Sequence, residues 1–225
     1  MMKILRTLAG FTILLYSQLS VANTLIFTSS FESDLLGSGG ILDNEFGLGN
    51  LQRIDDDMDR YWTVTGELSA TAVAKHAGFS QNFGFIDSEN NFSSLLYVPY
   101  MNAQSGSSTA PFVGDEIRFG LTRGVMPSNG KKPLFSSDPL DNVFCGRFFC
   151  SHEKDHMVSW LITDGVYAGD YVVAWEDLKK LGDRDYNDLV VRVSGVRVVP
   201  VPAALWLFGS GLLGLIALVR RRTVW

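Results

Sequence analysis

The residues of this chain best suited to chemistry lie between Glu176 and Asp188. Within those thirteen residues stand five carboxylates, Glu176, Asp177, Asp183, Asp185 and Asp188, and one amide, Asn187. Asp183, Asp185 and Asn187 occupy alternate positions. In a tight loop that spacing turns several oxygens toward one point, as a hard cation such as Ca²⁺ requires. Like charges so close need a counter-charge at neutral pH, which a cation would supply and which Arg184 or Lys179 could also supply. The sequence is not an EF-hand. Counted from Asp183, the sixth position is Asp188 where that loop needs Gly, and the twelfth is Ser194 where it needs Glu. A calcium site here therefore needs Glu176 or Asp177 brought across from the end of the preceding strand. Two other readings fit the same residues. One is a solvated acidic hairpin whose Asp and Asn side chains cap turns. The other is a carbohydrate-active enzyme using Glu176 and a partner aspartate, chemistry that needs two acids at a set separation.

Other reactive side chains are less organised. Asp55, Asp56, Asp57 and Asp59 precede Arg60-Tyr61-Trp62 and read as part of the same cation site, a separate one, or a solvated loop. Trp62, Trp160 and Trp175 read as core rather than as a sugar-stacking platform. His76, His152 and His156 are too dispersed for a catalytic triad, and no G-x-S-x-G element occurs. The two cysteines, Cys145 and Cys150, are separated by four intervening residues, which is not a C-x-x-C spacing, and there is no second pair to complete a metal site. In an oxidising compartment they read as one disulfide across a short loop.

The elements that must hold these residues are strands. Ile117, Phe119 and Leu121 alternate with Glu116, Arg118 and Gly120; Val158, Trp160 and Ile162 alternate with Ser159, Leu161 and Thr163. Tyr171–Trp175 and the alternation of Leu189, Val191 and Val193 place a strand on each side of the acidic loop. Further strands are expected at 25–28, 61–65, 79–86 and 95–100. Gly, Ser, Asn, Asp and Pro clusters such as Gly37-Ser38-Gly39-Gly40 separate them, and no long 3.6-residue apolar period appears. The expected fold is all-β, a β-sandwich or jelly-roll-like domain, with 104–108 as a flexible loop before a C-terminal unit at 112–195.

Both ends of the chain carry targeting features. Lys3 and Arg6 precede an apolar run at 8–15 and the small residues Ser20-Val21-Ala22, so residues 1–22 read as a signal peptide and helix. At the other end, residues 203–219 carry no charge and arginines 220–222 follow. Seventeen helical residues rise about 25 Å, near the lower limit for a membrane span, and the arginines mark its cytoplasmic end. Residues 23–198 are thus an exported β-rich domain flanked by an N-terminal signal helix and a C-terminal transmembrane helix. All 24 acidic residues but only 14 of the 19 basic ones fall in the exported part, a net charge of −10. That argues against nucleic acid or an anionic lipid surface as a partner.

Two stretches resemble known families. The run from Pro200 and Pro202 through A-L-W-L-F-G-S-G-L-L-G-L to Arg220, Arg221 and Arg222 resembles a PEP-CTERM sorting signal, with Val201 where the motif has glutamate. The resemblance implies export across the inner membrane of a Gram-negative bacterium that makes exopolysaccharide. It further implies a membrane-anchored precursor and processing by an exosortase-type enzyme that releases the protein to the surface or matrix. Without such processing the same tail would be a permanent anchor. The acidic stretch, an E-D-L element followed by G-D-R-D-Y-N-D-L-V-V, resembles domain of unknown function 4114, with Gly114-Asp115-Glu116 and Asp155-His156 as upstream members. That family has no established activity. Its acidic positions here, Glu176, Asp177, Asp183, Asp185, Asn187 and Asp188, imply metal binding or catalysis. The expectation is an exported, exopolysaccharide-associated surface protein, more in keeping with Ca²⁺ binding than with catalysis.

Overall fold

The structure is a computed structural model and describes residues 34–99, 113–124, 135–145, 150–151 and 155–199. Its strands are β1 (Leu51–Arg53), β2 (Trp62–Ala74), β3 (Gln81–Ile86), β4 (Phe92–Val98), β5 (Glu116–Arg123), β6 (Phe135–Ser136), β7 (Phe144–Cys145), β8 (Cys150–Ser151), β9 (Met157–Ile162), β10 (Tyr171–Trp175) and β11 (Leu189–Val198). One short helix, α1 (Ile41–Phe46), precedes them. All the strand pairings are antiparallel, and the fold is all-β. The strand segments expected between residue 61 and Gly195 are present, whereas 25–28 and the two flanking helices lie outside the described residues. Among the described residues no helix is long and apolar enough to cross a membrane.

Hydrogen bonds connect the strands in one path, β1-β9-β10-β11-β2-β5-β3-β4, with β6 beside β5. The path has one narrow point. β2 pairs with β11 over most of its length but meets β5 only through Trp62 opposite Ile117 and Thr63 opposite Glu116. Gly114 and Asp115 extend that junction: Gly114 N–H donates to the Val64 carbonyl at 2.7 Å, and Val64 N–H donates to the Asp115 carbonyl at 2.9 Å.

This junction divides the sheet into two arms, β1-β9-β10-β11-β2 and β5-β3-β4 with β6, and the main core draws on both. Leu68, Ala70 and Ala72 of β2, Val173 and Trp175 of β10, and Leu189, Val191 and Val193 of β11 share a cluster with Phe83 and Phe85 of β3, Leu96 and Val98 of β4, and Phe119 and Leu121 of β5. The opposite face of the first arm is also covered: Ala74, Val172, Ala174 and Val190 pack with Ile41, Leu42 and Phe46 of α1. β10 is therefore buried on both faces, which explains its uninterrupted apolar run. Strands from the two ends of the exported region interleave, since β2 lies between β11 and β5.

β7 and β8 form a separate ribbon in which Cys145 is directly opposite Cys150. Such paired positions have Cα atoms about 4.5–5.5 Å apart, within the range a disulfide bridges.

One register break organises the long β2–β11 pair. Ser194 pairs with Ser69 and Val196 with Val64, so residues 65–68 of β2 bulge across from the single Gly195. Gly195 has φ 77°, and a Cβ there would collide with the Glu67 carbonyl oxygen. Gly195→Ala should therefore destabilise the domain by about 2 kcal/mol or more. Urea unfolding of the two proteins at equal m-value checks this, and an unchanged midpoint would show that the bulge tolerates a side chain.

Candidate functional site

The acidic loop joins β10 to β11, adjacent strands in hydrogen-bonded register from Tyr171–Val193 to Trp175–Leu189. Its two ends are thereby fixed close together at the edge of the core. Glu176 follows Trp175, which is fully buried, and is itself buried; its N–H donates to the His156 carbonyl at 2.9 Å. The Glu176 carbonyl is 2.8 Å from His156 Nδ1, and the His156 ring stacks on Phe135 with centroids 3.9 Å apart. The Glu176 side chain is thus held inside the loop from the strand side.

The loop then doubles back over it. A carboxylate oxygen of each of Glu176, Asp183 and Asp185 lies within 4.8 Å of the other two. Two oxygens that each sit about 2.3–2.6 Å from one Ca²⁺ can be at most about 5 Å apart, so this set has the right size for that ion. The close return depends on Gly182, where a Cβ would lie 2.6 Å from Glu176 Oε1. Lys180, Leu181, Arg184 and Tyr186 all have positive φ, between 54° and 68°. Each such non-glycine residue costs on the order of 1 kcal/mol, so the surrounding contacts must over-determine this path. Tyr186 Oη supplies one, donating to the Asp155 carbonyl at 2.9 Å.

The remaining acidic residues have distinct surroundings. Asp177 is turned away from the three convergent oxygens. Its Oδ2 accepts from Gln81 Nε2 at 2.7 Å, its Oδ1 is 3.2 Å from Arg123 Nη2, and its carbonyl also accepts from Arg123. Asp188 is half-buried, and its Oδ2 accepts from the Asp177 N–H at 2.7 Å. Asn187 is buried, with its N–H donating to Asp185 Oδ1 at 3.3 Å. Lys179 and Arg184 form no ion pair with these acids among the described residues.

Electrostatics sharpen the picture. The Glu176 carboxyl has few partners: its Oε1 accepts from the Leu178 N–H at 3.1 Å, its Oε2 is buried and meets no N–H donor among the described residues, and the carboxyl shares a hydrogen bond with the Asp188 side chain. Burial raises the Glu176 pKa, and the charges of Asp183 and Asp185 push the same way. Burial likewise raises the Asp188 pKa, to about 8; the Asp177 N–H opposes the shift, and the charges of Asp177 and Glu176 and a hydrogen bond with the Glu176 side chain add to it. A proton or a cation between these carboxyls relieves the same repulsion.

The earlier acidic run divides in two. Asp55, Asp56 and Asp57 are exposed, with Arg53 paired to Asp56 and Arg60 to Asp57. Asp59 is fully buried: its Oδ2 accepts from Ser159 Oγ at 2.6 Å and its carbonyl from Trp62 Nε1 at 2.7 Å. Burial pushes its pKa up to about 8, and Asp155 and Asp56 add to the effect. Trp62, Trp160 and Trp175 are all core residues. Gln81, Arg123 and Gly182 shape the loop without any sequence signal that marks them as partners of the acids. A glycine inside an acidic run is the one cue that was available.

Comparison with known proteins agrees with two stretches of this chain. Residues 104–196 match the family described as domain of unknown function (DUF4114), and residues 198–222 match the PEP-CTERM protein-sorting motif. The chain carries both features. The sorting motif supports an exported protein with a membrane-anchored precursor in a Gram-negative cell, handled by an exosortase-type enzyme. No curated protein and no solved structure matches the chain.

The buried Asp59 makes stability depend on pH. Its folded-state pKa, about 8, lies well above the ordinary aspartate value of 3.8, so the folded state binds the proton more tightly. Its contribution is favourable at low pH and is lost as pH rises toward 8. Asp59→Asn keeps an acceptor for Ser159 and removes the charge. Relative to wild type it should gain about 1 kcal/mol or more at pH 8, roughly 2–4 °C, and the gain should vanish near pH 4. Parallel melting points across that range would show that Asp59 is not held protonated by burial.

Proposed function

We propose that this chain is a non-catalytic protein of the cell surface or extracellular matrix, associated with exopolysaccharide, whose β domain is stiffened by Ca²⁺. In this reading the bent sheet is a sandwich, with the two arms packed through the shared core. Glu176, Asp183 and Asp185 are the ion's protein ligands, with Asp188 beside them as further negative charge and Asp177 serving as the loop's structural anchor. The observation that carries the reading is the convergence of three carboxylate oxygens over Gly182, one of them from a buried glutamate whose other oxygen meets no N–H donor among the described residues. A hard, oxygen-preferring cation fits that donor set better than a softer metal, because no thiolate or imidazole belongs to it. Exopolysaccharide association rests on the class of cell in which such sorting tails occur. The pair Cys145 and Cys150 is a disulfide in the exported form, which the facing register supports.

Two experiments test this. At a Ca²⁺ concentration about 100 times the Kd, binding to the folded state adds about 2.7 kcal/mol, so the melting point should rise by roughly 5–10 °C over that in chelator. Asp185→Ala should remove most of the difference, and moderate salt should not. Identical melting curves with Ca²⁺ and with chelator would reject a stabilising calcium site. Separately, mass spectrometry of the surface-released protein should find it beginning at Asn23 and lacking the segment after Pro202. Recovery of residues 205–225 solely as part of an intact membrane-bound chain, in cells with an active exosortase, would leave the tail as a permanent anchor.

A further inference from the structure

A cavity of about 390 Å³ lies apart from the acidic loop's convergent oxygens. It is lined by Asp56, Arg60, Pro139, Leu140 and Asp155. Its frame is built from several elements. Pro139–Asp141 is a 3₁₀ turn capped by Asp138, whose Oδ1 accepts from the Leu140 N–H at 3.1 Å and whose Oδ2 accepts from Tyr61 Oη at 2.7 Å. Ser137 Oγ donates to the Arg60 carbonyl at 2.7 Å, which ties the opposite wall to the same turn. Asp155 stands at the head of β9, with its Oδ1 accepting from the Met157 N–H at 3.1 Å.

Two groups in this lining are incomplete. Asp155 Oδ2 and Arg60 Nε are both shielded from water, and neither meets a partner among the described residues. One is an acceptor and the other a donor. A buried polar group left in that state is destabilising, and a ligand able to satisfy both removes that penalty. The charges select the ligand class. An anion in the cavity would face Asp56 and Asp155. A cation would face Arg60, and the convergence of three metal-binding side chains seen at Glu176, Asp183 and Asp185 is not repeated here among the described residues. A neutral hydroxyl both donates and accepts, so one hydroxylated ring can serve Asp155 and Arg60 together. Pro139 and Leu140, the latter 54% exposed, offer an apolar wall of the kind a sugar's C–H face covers. The volume lies within the usual range of small-ligand sites, about 300–1,000 Å³.

We propose that this cavity binds a neutral hexose unit of a polysaccharide, with Asp155 accepting from a hydroxyl, Arg60 donating to one, and Pro139 and Leu140 packing against the ring. The proposal rests on the surface-matrix reading for the source of the sugar, and not on the calcium site. Burial holds the Asp155 pKa up to about 6, so at neutral pH the carboxyl is mainly the ionised acceptor that this role needs.

Saturation-transfer NMR on the full-length protein, in a detergent without sugar headgroups, tests it with glucose, galactose and mannose as probes and glucuronate and glucosamine as charged controls. At least one neutral hexose should bind with a Kd in the millimolar range or tighter, and both charged controls about tenfold more weakly. Asp155→Asn and Leu140→Ser should each weaken that binding about tenfold; Leu140 is exposed, so the second variant tests the wall without burdening the core. Asp185→Ala in chelator should leave hexose binding unchanged, which separates this site from the acidic loop. A neutral dextran competing with the bound hexose would identify chain polysaccharide as the source, and competition by free hexoses alone would overturn that part. The site itself is overturned if no neutral hexose binds, if glucuronate or glucosamine binds equally well, or if binding is indifferent to both Asp155→Asn and Leu140→Ser.

Discussion

The packing of one indole holds the two arms of this sheet in their relation to each other. Trp62 is fully buried at the junction where only two residue pairs join β2 to β5. Its ring is 5.1 Å from Phe119 of β5 and 5.0 Å from Tyr171 of β10, so it touches both arms at once. Two backbone pairs alone could not fix the angle of a bend. A large rigid side chain wedged between strands of both arms can, because each arm loses apolar contact if the bend opens. The same indole donates to the Asp59 carbonyl, and so positions the acidic turn that ends at Arg60. The core, the bend and the cavity beside Asp155 all depend on that one placement.

The acidic loop depends on the bend in turn. Asp177 accepts a hydrogen bond from Gln81 of β3 and is paired with Arg123 of β5, both on the far arm. With Asp177 engaged there, Glu176 on the next residue points the other way, toward Asp183 and Asp185. Alternation along an extended chain explains this: adjacent side chains leave opposite faces. One arm therefore absorbs a carboxylate so that the neighbouring one can be committed to the loop interior. Five acids close in sequence become three different environments, and burial adds to the cost of leaving the inner ones charged.

Much of this was legible in the sequence. The alternation of Ile117, Phe119 and Leu121, and the apolar run 171–175, marked β5 and β10 because burial against a sheet imposes a period of two or none. The acidic loop was visible because charge density needs no fold to be counted. The bend was not visible, since Trp62 looks the same whether it fills a hinge or a flat core. Nor was the partition of the acids. Asp177 and Glu176 are adjacent and chemically alike, and only the long-range approach of Arg123 separates their roles. Asp59 and Asp155 are 96 positions apart, and nothing local relates them. The matched family segment, 104–196, begins after β2, β3 and β4, yet β2 and β3 pair directly with strands inside it. A reading confined to that segment would omit four of the nine strands of the sheet, β1 to β4.

The position of β11 has a mechanical consequence. This strand ends at Val198, Val199 N–H still donates to the Tyr61 carbonyl at 2.9 Å, and the sorting motif begins at residue 198. The first residues of the matched motif thus belong to the folded sheet. A pull on the tail therefore enters the domain along the axis of β11, which is bonded to β10 on one side and β2 on the other. Antiparallel hydrogen bonds run across the strand, perpendicular to that pull, so the two ladders resist it together in shear instead of opening one bond at a time. A domain tethered through this central strand meets drag on two ladders at once, a useful property for anything held against moving fluid by its C-terminal end.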